Sequence, residues 1–277
     1  MSQPQIRLTN ILWRLLPLIW LILKPLAVYS SESEQSIKYD TCLRLAETNP
    51  IKGYKRGLEW YAANGGVAAR HCMAVSIFFG GDNLNGASRL EALERDIPIE
   101  NIFLRSQILA QAGQAWLMAG LVDRSSQLLS KAINLNPENP ELYLDRATIR
   151  IEQFKYIQAL NDLDQAIALD PSLGDAYLYR AYVKRDSKDI AGALTDINRV
   201  LELLPGLPIA VLERGFLKEL IGDENGARKD WEIIIKQAPK SEEAKAARIK
   251  IISLDEKRSR DRTEKSVNIS NGSASEK

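Results

Sequence analysis

An all-α solenoid of helix-turn-helix repeats is the fold class this sequence predicts, and three observations predict it. Pro137, Pro171, Pro205 and Pro239 recur at a period of 34 residues. Small residues keep the same period, as Ala159, Ala193 and Ala227 do, with Ala147, Ala181 and Gly215, and Ala132 and Ala166; Tyr143 and Tyr177 share an aromatic position. Two helical apolar patterns fit inside each period, and the proline closes the unit because it cannot continue a helix. A fixed period of this length marks stacked hairpins that bury their apolar faces against one another, so no single central core is required.

The first thirty residues stand apart. They carry Arg7, Arg14 and Lys24 and no acid, and without them the net charge changes from +1 to −2. The apolar run Leu15 to Leu23 is short against the ~20 residues of a spanning helix. A positive flank, a short apolar run and small residues around Ser30 read as an export signal cleaved near Ser30. The alternative extends the segment over residues 11–29 and keeps it as a membrane anchor, with Lys24 snorkelling to the interface. Either way the positive flank predicts that the repeats are exported, to the periplasm or to a membrane facing it.

After the leader the elements follow in order. Ile37 to Thr48 reads as a helix stopped by Asn49-Pro50, and Tyr54 to Ala63 as its partner. Val67 to Phe79 and Asn85 to Arg95 make a second pair around Gly80-Gly81. These two pairs, residues 31–98, read as degenerate repeats. Asn101 to Ala119 is the longest apolar-rich helix, with Asp123 to Leu135 beside it and Pro137 closing the unit. Three well-formed repeats follow. Ser241 N-caps a last, capping helix, Glu242 to Leu254, which ends the repeat region 99–256. From 257 to 277 the composition is Lys, Arg, Asp, Glu, Ser and Asn, which predicts a disordered tail. Its two glycosylation-like triplets, at Asn268 and Asn271, read as chance.

The closing prolines, the small positions and the tyrosines resemble the tetratricopeptide repeat family. The resemblance is strong over residues 101–254 and weak over 37–95. With Arg70-His71-Cys72, Ala74 and Gln111 to Trp116, the pattern is similar to exported repeat proteins of Gram-negative bacteria. It implies a right-handed α-solenoid and a function in binding proteins rather than in catalysis. It also implies a concave groove lined by the first helix of each hairpin. Carried over to matching positions, that groove is Leu144, Thr148 and Ile151, then Leu178, Tyr182 and Arg185, then Leu212, Phe216 and Leu220, with Leu117 and Met118 upstream. Some members of the family grip a carboxylate tail with lysine and asparagine there. This chain has leucines, threonine and aromatics instead, which suits an apolar or amphipathic segment; the alternative is that these side chains only pack.

Chemistry has little to stand on. His71 adjoins Cys72, but neighbours on a helix point about 100° apart, and no zinc spacing or phosphate loop accompanies them. No catalytic residue, cofactor or metal is expected, and the near-zero net charge gives no footprint for nucleic acid. A thiol-dependent enzyme is the distant alternative. Cys42 and Cys72 sit on the first helices of the first two hairpins, where an oxidising compartment would join them in a disulfide and a reducing one would leave two small buried thiols. Arg146 and Asp162, Arg180 and Asp196, and Arg214 and Asp230 are each 16 residues apart. The recurrence of both partners reads as an ion pair that holds each hairpin.

Overall fold

A computed structural model describes residues 34–274, so the leader 1–30, whether signal or anchor, lies outside the described residues. Thirteen helices and no strand are found among them. In order these are α1 (Glu34–Thr48), α2 (Pro50–Ala62), α3 (Gly66–Phe79), α4 (Asn83–Leu93), α5 (Ile102–Met118), α6 (Val122–Leu135), α7 (Pro140–Glu152), α8 (Tyr156–Leu169), α9 (Gly174–Asp186), α10 (Ile190–Leu203), α11 (Pro208–Leu220), α12 (Glu224–Gln237) and α13 (Glu242–Ala274). Helices pack mostly on their neighbours in the chain, with α1 also packed on α3, the arrangement of a helical-repeat solenoid.

The starts of these helices follow from their sequence. Asn49, Asn101 and Asn139 accept a backbone N–H in front of α2, α5 and α7, and Asp82, Asp189 and Asp223 do so in front of α4, α10 and α12. Ser241 Oγ accepts from the Ala244 N–H at 3.0 Å and starts α13, as its position predicts.

The chain forms two compact units that part at Asp170 and Pro171. One continuous core runs from Tyr39, Cys42 and Leu43 through Phe78, Leu90 and Ile108 to Leu129 and Ile149, so the degenerate hairpins and the regular ones share the same interior. Gly53 lets α2 approach α1; a Cβ there would lie 2.6 Å from the backbone of Ala46. The Gly53 carbonyl faces both sulfurs of a Cys42–Cys72 disulfide, whose Cα atoms are 6.0 Å apart.

The second unit has its own core of Val211, Leu212, Ala227, Trp231, Ile234, Ala244, Ala247 and Leu254. Its glycine at the small position has a cause. Trp231 fills the place that Leu163 and Ile197 hold in the earlier repeats, and its fully buried indole lies where a Cβ on residue 215 would be. A larger residue on one helix is matched by a smaller one on the other.

The tail departs from expectation. Where composition predicts disorder from 257 onward, α13 runs on to Ala274, 33 residues in all. Lys257 Nζ bonds Glu224 at 2.7 Å, Arg258 bonds Glu224 and Asn225, and Arg228 pairs with Asp255. The charges that lower the mean hydropathy of this stretch are thus used along the first turn of α12, which carries the helix past Leu254.

Closing a loop across the first two hairpins, the disulfide should contribute about 2–4 kcal/mol. Urea unfolding of the chain with and without reductant should show that loss; coincident midpoints would contradict it.

Candidate functional site

Each regular hairpin is pinned by one buried carboxylate. Asp162, Asp196 and Asp230 are nearly fully enclosed. Arg146 donates to Asp162 through Nε at 3.0 Å and Nη2 at 2.8 Å, Arg180 to Asp196 at 2.9 and 2.6 Å, and Arg214 to Asp230 at 3.0 and 2.7 Å. The pairing lies across the hairpin, from first helix to second. The sequence reading missed a second cation one helical turn after each arginine. Arg150, Lys184 and Lys218 reach the same aspartates at 2.6, 2.7 and 2.8 Å. Two cations on a desolvated carboxylate keep it charged and bridge the hairpin twice.

The proposed groove fares differently. Leu144, Ile151, Leu178, Tyr182 and Leu212 are buried, Thr148, Arg185 and Phe216 are half-buried, and Leu220 is exposed. Upstream, Leu117 is half-buried and Met118 exposed. Neighbouring elements cover much of this stripe. The Tyr182 ring packs edge-on against Tyr179 and lies under the Arg185 guanidinium, 5.4 Å from its centre. Arg185 in turn bonds the buried Glu213 of α11 and Asp186. Phe216 lies against Trp231 and beneath the ammonium of Lys250 from α13, 5.3 Å away, and Lys250 is fixed by Glu219. Most of the side chains carried over to a leucine and aromatic groove are thus engaged in packing, Tyr182 among them.

The first unit also carries a buried polar seam. Tyr39 Oη lies 2.6 Å from His71 Nδ1, and His71 Nε2 lies 2.6 Å from Gln111 Oε1. The amide oxygen can only accept, so Nε2 carries the proton and the tyrosine hydroxyl donates to Nδ1. His71 is fully buried, and desolvation lowers its pKa to about 4 against the opposing bond from Gln111. One turn along α5, Gln114 Nε2 donates to Asp145 Oδ2 at 2.8 Å. Burial raises the Asp145 pKa to about 7; the Gln114 bond opposes this and the charge of Glu141 adds to it. No bond from a cation to Asp145 is recorded among the described residues. Gln111 and Gln114 interrupt the otherwise apolar run from Ile108 to Met118 of α5, and that interruption is the sequence signal that could have marked this seam.

His71 and Cys72 do not form a thiol site. Both cysteines of the chain are in the disulfide, and both ring nitrogens of His71 are engaged.

No protein-family description matches this chain, and neither does any curated protein. Solved structures do. MamA is 20% identical, over 61% of this chain and 95% of that one, with a TM-score of 0.54. MamA 41-end from Desulfovibrio magneticus RS-1 is 15% identical over 64% of this chain and 97% of that one, with a TM-score of 0.56. PilF of Pseudomonas aeruginosa is 13% identical over 79% of this chain and all of that one, with a TM-score of 0.61. The chain has the tetratricopeptide-repeat fold. At these identities the likeness concerns the fold, and what the repeats hold must come from the residues themselves.

Two tests follow for this fold. Arg180→Ala leaves Asp196 buried with one cation fewer and should cost roughly 3 kcal/mol, seen as a lowered melting temperature; an unchanged one would refute the pinning role. The second concerns pH. Between about 4 and 6.5 the unfolded chain binds a proton at residue 71 and the fold does not, so the His71 contribution is lost as pH falls. Asp145 acts oppositely, since between 3.8 and about 7 the fold holds a proton that the unfolded chain releases, and its contribution is lost as pH rises. Relative to the unaltered chain, His71→Asn should gain urea resistance on acidification across this window. Asp145→Asn should lose it, by roughly 3 kcal/mol. Equal slopes for the two variants would contradict the assignment.

Proposed function

We propose that this chain is a non-enzymatic adaptor of the cell envelope that holds an amphipathic partner segment through a basic side chain seated on Asp145. The observation that carries this reading is the contrast among its aspartates. Asp162, Asp196 and Asp230 each receive two cations, whereas the bond recorded to the Asp145 carboxylate comes from the Gln114 amide. A half-buried carboxylate without a counter-charge is destabilised, and an incoming guanidinium or ammonium relieves it. Thr148, half-buried and one turn on, donates its hydroxyl to the Asp145 carbonyl at 2.8 Å and adds a polar contact beside it. The purely apolar partner suggested by the leucine pattern fits less well, because Leu144, Leu178 and Leu212 are buried.

Two features support the envelope. The basic, apolar leader suits export, and a buried disulfide suits an oxidising compartment. A second reading retains residues 11–29 as a membrane anchor; it is favoured by Ile37, an apolar side chain exposed near where the described chain begins.

Asp145→Asn tests the adaptor reading, because it moves folding and binding in opposite directions. The variant should gain roughly 1–3 kcal/mol of stability at pH 7, discounted for partial exposure. It should also lose the proteins that the unaltered chain captures from an envelope extract. Capture of the same proteins by both forms would sink the proposal.

A further inference from the structure

In the first unit the helices alternate in direction, so their ends gather at two opposite edges. One edge holds the start of α1. Tyr39 there meets Trp60 at the end of α2, with ring centres 6.3 Å apart, and Arg70 near the start of α3 bonds Asp96 at 2.8 Å, beside the turn into α5. Arg105 in the first turn of α5 bonds Glu94 at 2.7 Å and closes the same edge. Along it Ile37, Ile99, Ile102 and Phe103 stand in solvent, Ile99 71% exposed. Tyr61, on the last turn of α2, is exposed as well.

The far edge is made by the turns within hairpins, tied together by Asn83 to the Met118 carbonyl and Gln153 to Asp123. It too carries exposed apolar side chains, Leu84, Leu121, Phe154 and Ile157 among them. Apolar exposure therefore does not by itself tell the edges apart. The course of the chain does. Four residues separate the stretch 11–29 from Glu34, where α1 begins. The five steps from residue 29 to Glu34 span at most about 18 Å, while the 15 residues of α1 put the far edge about 22 Å further on.

We propose that the edge carrying Ile37, Ile99, Ile102 and Phe103 rests on the surface of the bilayer that holds residues 11–29. This rests on the reading in which the leader is retained. The short connection leaves that edge no room to stand clear of the headgroups. Its isoleucines and phenylalanine enter the interface, with Tyr61 beside them at the level where aromatic rings with a polar tip are favoured. The far edge, with Phe154, is then turned away from the membrane.

The test uses the full chain in intact cells grown with radioactive phosphate. The photoreactive residue p-benzoylphenylalanine replaces Ile102 in one variant and Phe154 in another. Both positions are exposed, so both variants fold. After illumination, phospholipid label should attach to the chain altered at 102 and not to the one altered at 154. Sequencing the N-terminus of the same chain reads the leader separately. An intact leader with no label at 102, or with equal label at 154, overturns this inference and leaves the anchor reading standing. A chain that begins near residue 31 overturns both.

Discussion

A carboxylate shut away from water between two cations is the contact on which each regular hairpin depends. Asp162, Asp196 and Asp230 have side chains only 3–5% exposed, and each is reached from the facing helix by an arginine and, one turn later, by a second cation. Apolar packing alone would let one helix slide against the other by a turn at modest cost. A bidentate arginine does not, because a shift in register would bury the aspartate unpaired. The cation–π contacts of Arg146 on Tyr143 and Arg180 on Tyr177 hold the same guanidinium planes from the other side. The repeated tyrosine, arginine and aspartate are thus parts of one joint, and the small residues at 147, 181 and 215 give it room.

Much of this was legible in the chain itself. A 34-residue period in proline and alanine announces stacked hairpins because both residue types mark backbone events, the end of a helix and the close approach of two. The 16-residue spacing of arginine and aspartate announced the joint for the same reason. What stayed hidden were facts about neighbours. The family resemblance implies that Leu178 and Tyr182 line an open groove, yet Arg185 and Glu213 close over Tyr182 here. Phe216 lies under Lys250 because the helix that begins at Glu242 looks like a cap in composition and in space is a lid. Asp145 gave no signal at all in the sequence, since its importance lies in cations that are directed elsewhere. The tail misled for a related reason: Lys257 and Arg258 look like solvated charges until Glu224 is placed beside them.

His71 and Asp145 show how one unit can carry two unfavourable groups. Burying a neutral imidazole between Tyr39 and Gln111 makes the fold sensitive to acid, and burying a carboxyl against Gln114 makes it sensitive to base. Placed on helices of a shared core, their pH dependences oppose each other over much of the range between about 4 and 6.5. The histidine of this seam is saturated by its two bonds, while the Asp145 carboxylate takes its bond from the Gln114 amide.

The disulfide has a mechanical consequence. It encloses all of α2 in a loop between residues 42 and 72. A pull on the chain ahead of α1 therefore passes from Cys42 through the sulfur atoms to α3, and α2 carries none of the load. Solenoids fray from their ends, where a helix has a neighbour on one side only. Here the end that is attached to the leader cannot peel hairpin by hairpin. Traction from that side reaches the shared core of the first unit directly, and extension through α2 begins only after the bond is reduced.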